Sequence, residues 1–131
     1  MKTTIESILD MQIIAVVGMS PNPARPSHGV AMYLKSQGYT IIPVNPGRSE
    51  IEGLPCYHDL ESIPGAVDVV DVFRAPEACA PIAQSAVDIG AKALWLQEGI
   101  VNVKAVRIAE DAGLLTVQDK CLLKEHRRIK G

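Results

Sequence analysis

Residues Ile13-Ile14-Ala15-Val16-Val17 form an unbroken apolar run that stops at Gly18. Such a run has no polar face to offer water, so a strand built from it must be covered on both sides. A sheet with one wet face would show alternation instead, and the run is far shorter than the ~20 apolar residues needed to cross a bilayer. It therefore predicts the central strand of a parallel sheet with helices on both faces. The next segment, Gly18 to Gly29, holds three prolines and two glycines and predicts a long, stiff loop.

The same strand, loop and helix order recurs along the chain. Thr4 to Met11 carries Ile5, Ile8 and Leu9 at helical spacing, with Thr3 or Thr4 as N-cap. Ser27 to Gln37 is a second helix, with Ser27 able to cap it and Gly38 to stop it. Tyr39 to Val44 is a strand whose Pro43 places it near an edge or a strand end. Between Glu50 and Ile63 the chain is turn-rich, with a very short strand over Leu54 to Tyr57 and a helical turn over Asp59 to Ile63. Val67 to Phe73 is a buried strand, Pro76 to Ile89 a helix, Ala91 to Gln97 a strand, Asn102 to Ala112 a helix capped by Asn102, and Leu114 to Val117 a last strand. This alternation predicts one Rossmann-like doubly wound α/β domain spanning residues 1–131. Residues 122–131 form its basic tail, which Lys124, Arg127, Arg128 and Lys130 mark as a solvated terminal helix.

Composition removes several classes of function. A net charge of −2 supplies no basic field for a nucleic-acid backbone, so any anion must be bound locally. The N-terminus has no secretory pattern, and Cys56, Cys79 and Cys121 are odd in number, widely spaced and free of any C-x-x-C. Reduced thiols in a cytoplasmic protein are the expectation. His28, His58 and His126 are too scattered for a zinc motif, and Cys56 with His58 makes at most two ligands, so no metal site is predicted.

In doubly wound sheets ligands lie at the carboxyl ends of the strands, which directs attention to the Gly18 loop, Asn45 to Arg48, Phe73 to Pro76, Gln97 to Ile100 and Asp119 to Cys121. The first of these lacks the second and third glycines of G-x-G-x-x-G, so the standard NAD fingerprint is absent. What it holds is a glycine turn, hydroxyls at Ser20 and Ser27, the Arg25 guanidinium and a helix N-terminus, the parts of a phosphate site. On that loop alone, an anion site and an ordinary capped helix with a solvated arginine fit equally well. After the second strand stands Asn45-Pro46-Gly47-Arg48, not the carboxylate that binds a ribose diol. Arg48 would attract a phosphorylated ribose, although taken alone it reads as a surface arginine.

Five blocks in order carry a family resemblance: Ile14 to Ser20 with Pro23-x-Arg25-Pro26-Ser27, Gly38-Tyr39 before Ile42-Pro43-Val44-Asn45-Pro46, Val70 to Arg74, and Trp95-Leu96-Gln97-x-Gly99. Together they resemble the small stand-alone CoA-binding proteins related to the nucleotide-binding domain of the succinyl-CoA synthetase alpha subunit. The resemblance implies a nucleotide-binding protein whose ligand is coenzyme A or acyl-CoA. It implies phosphates near Gly18, Met19 and Ser20 with Arg25 and Ser27 beside them, adenosine around Asn45, Pro46 and Arg48, contacts along the nucleotide from Phe73, Arg74 and Pro76, and the pantetheine arm near Gln97, Glu98, Gly99 and Ile100. One departure is Gln118-Asp119-Lys120-Cys121, where the small proteins usually have Met-Asp-Arg-Cys.

No catalytic apparatus is read from the chain. The synthetase's phosphorylated histidine belongs to a separate domain, and Ser20 is followed by Pro21, unlike the nucleophile of G-x-S-x-G. Asp68 and Asp71 lie three apart on a strand, face opposite sides and read as polarity at strand ends, not as an acid-base pair. Glu98 is the one candidate base should the protein be a CoA-dependent enzyme, and Cys121 beside Lys120 is a candidate for a mixed disulfide with the CoA thiol. A further alternative is one half of a two-chain acyl-CoA ligase, with a protein partner supplying the rest.

Overall fold

The computed structural model describes residues 1–131. The first helix, α1 (Thr4–Leu9), starts with a capping box in which the Thr3 hydroxyl accepts from the Glu6 amide and the Glu6 carboxylate accepts from the Thr3 amide. The chain then runs through β1 (Ile13–Val17), α2 (Pro26–Ser36), β2 (Thr40–Val44), the two-residue strands β3 (Glu50–Ile51) and β4 (Leu54–Pro55), and a 3-10 turn over Leu60–Ser62. It continues with β5 (Val69–Val72), a 3-10 turn over Pro76–Ala78, α3 (Cys79–Asp88), β6 (Ala93–Leu96), α4 (Val103–Asp111), β7 (Leu115–Val117) and α5 (Leu122–Ile129).

The five longer strands form one parallel sheet in the order β2-β1-β5-β6-β7. The apolar run of β1 lies second from the edge and is hydrogen-bonded to strands on both sides, although the middle strand of the five is β5 and not β1 as the sequence reading expects. Alternate residues divide between two cores. Ile14, Val16, Val69 and Trp95 face α1, α2 and α5, whereas Ala15, Val17, Val70, Val72, Leu94 and Leu96 face α3 and α4. The result is a three-layer α/β/α domain. β2, with Pro43, is an edge strand as expected, and Tyr57 covers part of that edge through a bridge to Val44.

Four local features differ from the sequence reading. Ser27 does not cap α2: the cap residue is Arg25, with no side-chain cap bond, because Pro26 takes the first helical position and Ser27 falls inside the first turn. Glu50–Ile51 and Leu54–Pro55 pair as a small antiparallel hairpin, of which only the second strand was expected. Asp71 is not at a strand end but in the middle of β5 and fully buried. Asp68 does sit at a strand mouth, where it accepts from the Gln12 and Ile13 amides and pairs with Lys92.

The fourth difference is the basic tail. Residues Leu122, His126 and Ile129 recur at i, i+4 and i+7, so α5 has a stripe that packs on the first core while its cations point outward. Leu122 is 1% exposed. The Tyr33 hydroxyl hydrogen-bonds to His126 Nδ1 at 2.8 Å, Tyr39 meets the same ring edge-on, and the Arg127 guanidinium lies 4.9 Å from the Tyr33 ring centre. Lys130 and Lys2 both pair with Asp10, which together hold its carboxyl down at about 2. The tail is thus part of the fold. Leu122→Ala should lower unfolding free energy by about 2–5 kcal/mol in urea titrations, and a loss under about 0.5 kcal/mol, the usual size for a surface position, would mean that α5 does not close the core.

Candidate functional site

Strand order reverses at β1: the chain leaves it to build β2 on one side and returns to build β5 on the other. At such a point the loops diverge and open a crevice at the carboxyl ends of the two strands. Gly18 lies at this mouth, with φ +87° and its amide donating to Val44 O at 2.8 Å. A Cβ there would sit 2.5 Å from the Phe73 carbonyl oxygen and 2.9 Å from Arg74 Cδ, so both the conformation and the close approach require glycine.

The loop beyond Gly18 is held by its own polar groups. The Ser20 amide donates to Ser27 Oγ at 2.9 Å, which shows what Ser27 does instead of capping. Ser20 Oγ accepts from the Asn22 amide, and Asn22 Oδ1 from the Ala24 amide. Ser20 Oγ keeps its own proton free to donate. Gly18, Ser20, Arg25, Ser27, Phe73, Arg74 and Ile100 line one cleft. A second, more apolar cleft lies beside it, formed by Val17, Val44, Pro46, Leu60, Pro81 and Ile82 with His58, Asp59 and Ser85 at its polar side. Arg74 belongs to both clefts.

The remaining expected residues fall into two groups. Arg48, Pro76, Glu98 and Gly99 are exposed on this edge of the sheet, as are Arg25, Arg74 and Pro46. Met19, Asn45 and Gln97 turn inward. The Met19 side chain is wholly buried, and its carbonyl accepts from Asn45 Nδ2 at 3.0 Å. Asn45 Oδ1 in turn accepts from the Gly47 amide, so this side chain ties two rim loops together. Gln97, 3% exposed, donates to Asp71 Oδ1 at 2.5 Å.

Charge on the rim is uneven. Arg25, Arg48 and Arg74 form no ion pair, whereas Glu98 is held by Lys124 at 2.8 Å. Through this pair α5 touches the loop that follows β6. Beneath the rim, burial pushes the Asp71 carboxyl up to about 7, with only the Gln97 bond opposing it, and Asp71 Oδ2 has no partner. Burial also raises the Cys56 and Cys79 thiols, while Cys121 is a free, half-buried thiol at the N-cap of α5.

Several rim residues escaped the sequence reading because their partners are distant in the chain. Asn102, expected only as a cap, accepts from the Ala105 amide as predicted and also donates to Pro76 O. Its own amide donates to Gln118 Oε1, a bond that methionine at 118 could not accept in the same way. Asp119, at φ +58°, accepts from the Gly99 amide at 2.7 Å. These bonds fasten the loops after β5, β6 and β7 to one another. His58, Leu60, Pro81, Ile82 and Ser85 come from segments without a ligand signal of their own.

The family described as "CoA binding domain" matches residues 12–127. The Bacillus subtilis protein YneT is 36% identical over 130 residues, covering 98% of this chain and 96% of that protein. A structure from Pyrococcus horikoshii superposes with a TM-score of 0.95 at 38% identity, covering 99% of this chain and 94% of the other. The alpha subunit of an acetate–CoA ligase (ADP-forming) II from Pyrococcus furiosus is 31% identical over 93 residues, 70% of this chain but 19% of that subunit.

The buried acid has a measurable signature. The folded protein holds the Asp71 proton up to about 7, whereas the unfolded chain releases it near 3.8, so this group makes stability fall as pH rises across that interval. Asp71→Asn should remove this component. The difference in urea midpoint between wild type and variant should shift in favour of the variant from pH 4.5 to pH 7.5, and a constant difference would contradict a buried neutral acid.

Proposed function

The chain belongs to the CoA-binding domain family, and on that premise we propose that it binds coenzyme A or an acyl-CoA along the carboxyl edge of its parallel sheet. The observation that carries this reading is the pair of guanidiniums free of ion pairs, Arg25 and Arg74, in the cleft that also holds the Ser20 hydroxyl, with Arg48 exposed and likewise free of ion pairs on the loop after β2. CoA carries a diphosphate and a separate ribose phosphate, and arginine forks suit both. In this reading the diphosphate lies over Gly18 to Ser27. The adenine ring enters the apolar cleft between Val44, Pro46, Leu60 and Ile82, Arg48 meets the ribose phosphate, and the pantetheine arm follows Phe73 toward Gln97 to Ile100. Met19, Asn45 and Gln97 act by shaping these loops. Phe73, Pro76 and the Glu98-Gly99 turn flank the arm.

The proposed role is binding without chemistry of the chain's own, in the cytoplasm, where three free cysteines suit a reducing milieu. No helix is long and apolar enough to cross a membrane. A second reading makes the chain one half of a two-chain ligase. It is supported by the match to a ligase alpha subunit of which this chain spans about a fifth of the length, and by Val101 and Val103, exposed apolar residues beside the rim. Co-purification with a larger ATP-using chain would distinguish it.

Calorimetric titration with CoA, acetyl-CoA, NAD and ATP tests the main reading: micromolar or tighter binding confined to the CoA species is expected, and no heat with any of them would contradict it. A charge-assisted contact contributes about 1.5–3 kcal/mol. Arg48→Ala should therefore weaken CoA about 10- to 150-fold while leaving dephospho-CoA nearly unchanged, and equal losses for both would remove Arg48 from the ribose phosphate.

A further inference from the structure

Asp71 is a costly residue where it stands. It lies within β5, beside Val16 of β1 and Trp95 of β6, with none of its surface exposed. The rest of the strand is Val69, Val70 and Val72, and a fourth valine would meet no desolvation cost there. The one hydrogen-bond donor to the carboxyl is Gln97, whose Nε2 lies 2.5 Å from Oδ1, while Oδ2 has no partner. A single bond of this kind does not offset the burial of an acid. The sheet by itself therefore gives no reason for an acid at this position.

What Asp71 holds lies at the ligand edge. Gln97 is the first residue past β6, it is buried, and the bond to Asp71 is its one side-chain hydrogen bond. Its carbonyl accepts from the Ile100 amide at 2.9 Å, so Gln97 to Ile100 close a β-turn. Gly99 occupies the third position of that turn at φ +87°, where glycine is favoured. On the far side Asp119 Oδ1 accepts from the Gly99 amide at 2.7 Å, and the Asp119 amide donates to Ile100 O at 3.2 Å. The turn is thus gripped at its entry by Asp71 and at its exit by Asp119. Ile100, its last residue, lines the cleft that holds Ser20, Arg25 and Arg74.

We infer that Asp71 is a positioning residue for the pantetheine arm of the ligand: it anchors Gln97 from beneath the rim and so fixes the Gln97 to Ile100 turn along which the arm passes. This role toward the ligand rests on the CoA reading, whereas the anchoring of the turn stands without it. A carboxyl accepts through one oxygen whether it is ionised or carries a proton on the other, so the anchor needs no particular protonation state. A turn fixed in advance spares the arm the ordering of its own contact surface, and that saving appears as affinity. Loss of the anchor should therefore weaken ligands that carry the arm and spare those that lack it.

Parallel titrations with CoA and with adenosine 3′,5′-bisphosphate, which keeps the adenosine and a phosphate on each of two ribose oxygens but has no arm, separate this role from general support of the fold. Asp71→Val should weaken CoA about fivefold or more while changing the armless ligand less than about twofold. Gln97→Leu should show the same selective loss and the double variant no further one. Asp71→Asn, whose amide oxygen can still accept from Gln97, should bind CoA within about twofold of wild type. Equal losses for both ligands, or an undiminished affinity for CoA in Asp71→Val, would overturn the positioning role. Amide hydrogen exchange of the ligand-free proteins reads the anchor itself. The Ile100 amide should exchange about tenfold or more faster in Asp71→Val and in Gln97→Leu, which leaves β5 intact, with the β5 and β6 ladder amides unchanged. Protection at Ile100 equal to wild type in both variants would overturn the anchor. Wild type that binds neither ligand would overturn the CoA reading and the role toward the arm with it, and the exchange result then decides the anchor.

Discussion

Gly18 is the point on which the site depends. β1 is bonded to β2 and β5, and where it ends the chain must turn out of the sheet while the Phe73 carbonyl passes within reach of its α-carbon. Any side chain at position 18 would push the two strand ends apart or force the loop into another path. With glycine there, the first loop can fold back over the end of β1, bringing Ser20, Arg25 and Ser27 to the same cleft as Phe73 and Arg74. The crevice is a consequence of strand order, and its closeness is a consequence of one missing methyl group.

Around that point the rim is braced before any ligand arrives. Asn45 joins the loops after β1 and β2, Asn102 and Gln118 join those after β5, β6 and β7, and Asp119 holds the Gly99 turn. Preorganised loops spend less of their binding energy on ordering. On the same edge Glu98 is paired with Lys124 and burial holds the Asp71 carboxyl well above the ordinary carboxylate range, whereas Arg25, Arg48 and Arg74 form no ion pair.

Most of the architecture was readable because it rests on short-range signals. The apolar runs at Ile13 to Val17 and Val67 to Phe73, the Gly and Pro stops and the Asn102 cap report on strands and helix ends without reference to the rest of the chain. The loops that form the rim were found through the strand ends, and the family through five ordered blocks, one of which supplied Arg74. What stayed hidden depends on partners far away. Ser27 looked like a cap, and only the position of Ser20 shows its hydroxyl serving the loop. Asp71 looked like polarity at a strand end, and only the sheet register opposite Val16 and Trp95 buries it. The stripe of α5 was present in the sequence but was masked by a histidine that counts as polar until Tyr33 and Tyr39 enclose it.

The proposed binding surface is one continuous edge of the sheet, centred on the β1 and β5 ends. Backbone amide NMR of the uniformly labelled protein during titration with CoA tests it most directly, since every rim loop contains reporting amides. The largest shifts are expected at Gly18 to His28, Asn45 to Arg48, His58 to Leu60, Phe73 to Arg74 and Gln97 to Ile100, with little change at Gly38, Gly65 or Gly90 on the opposite edge. Shifts centred on that opposite edge, or spread evenly over the domain, would contradict it.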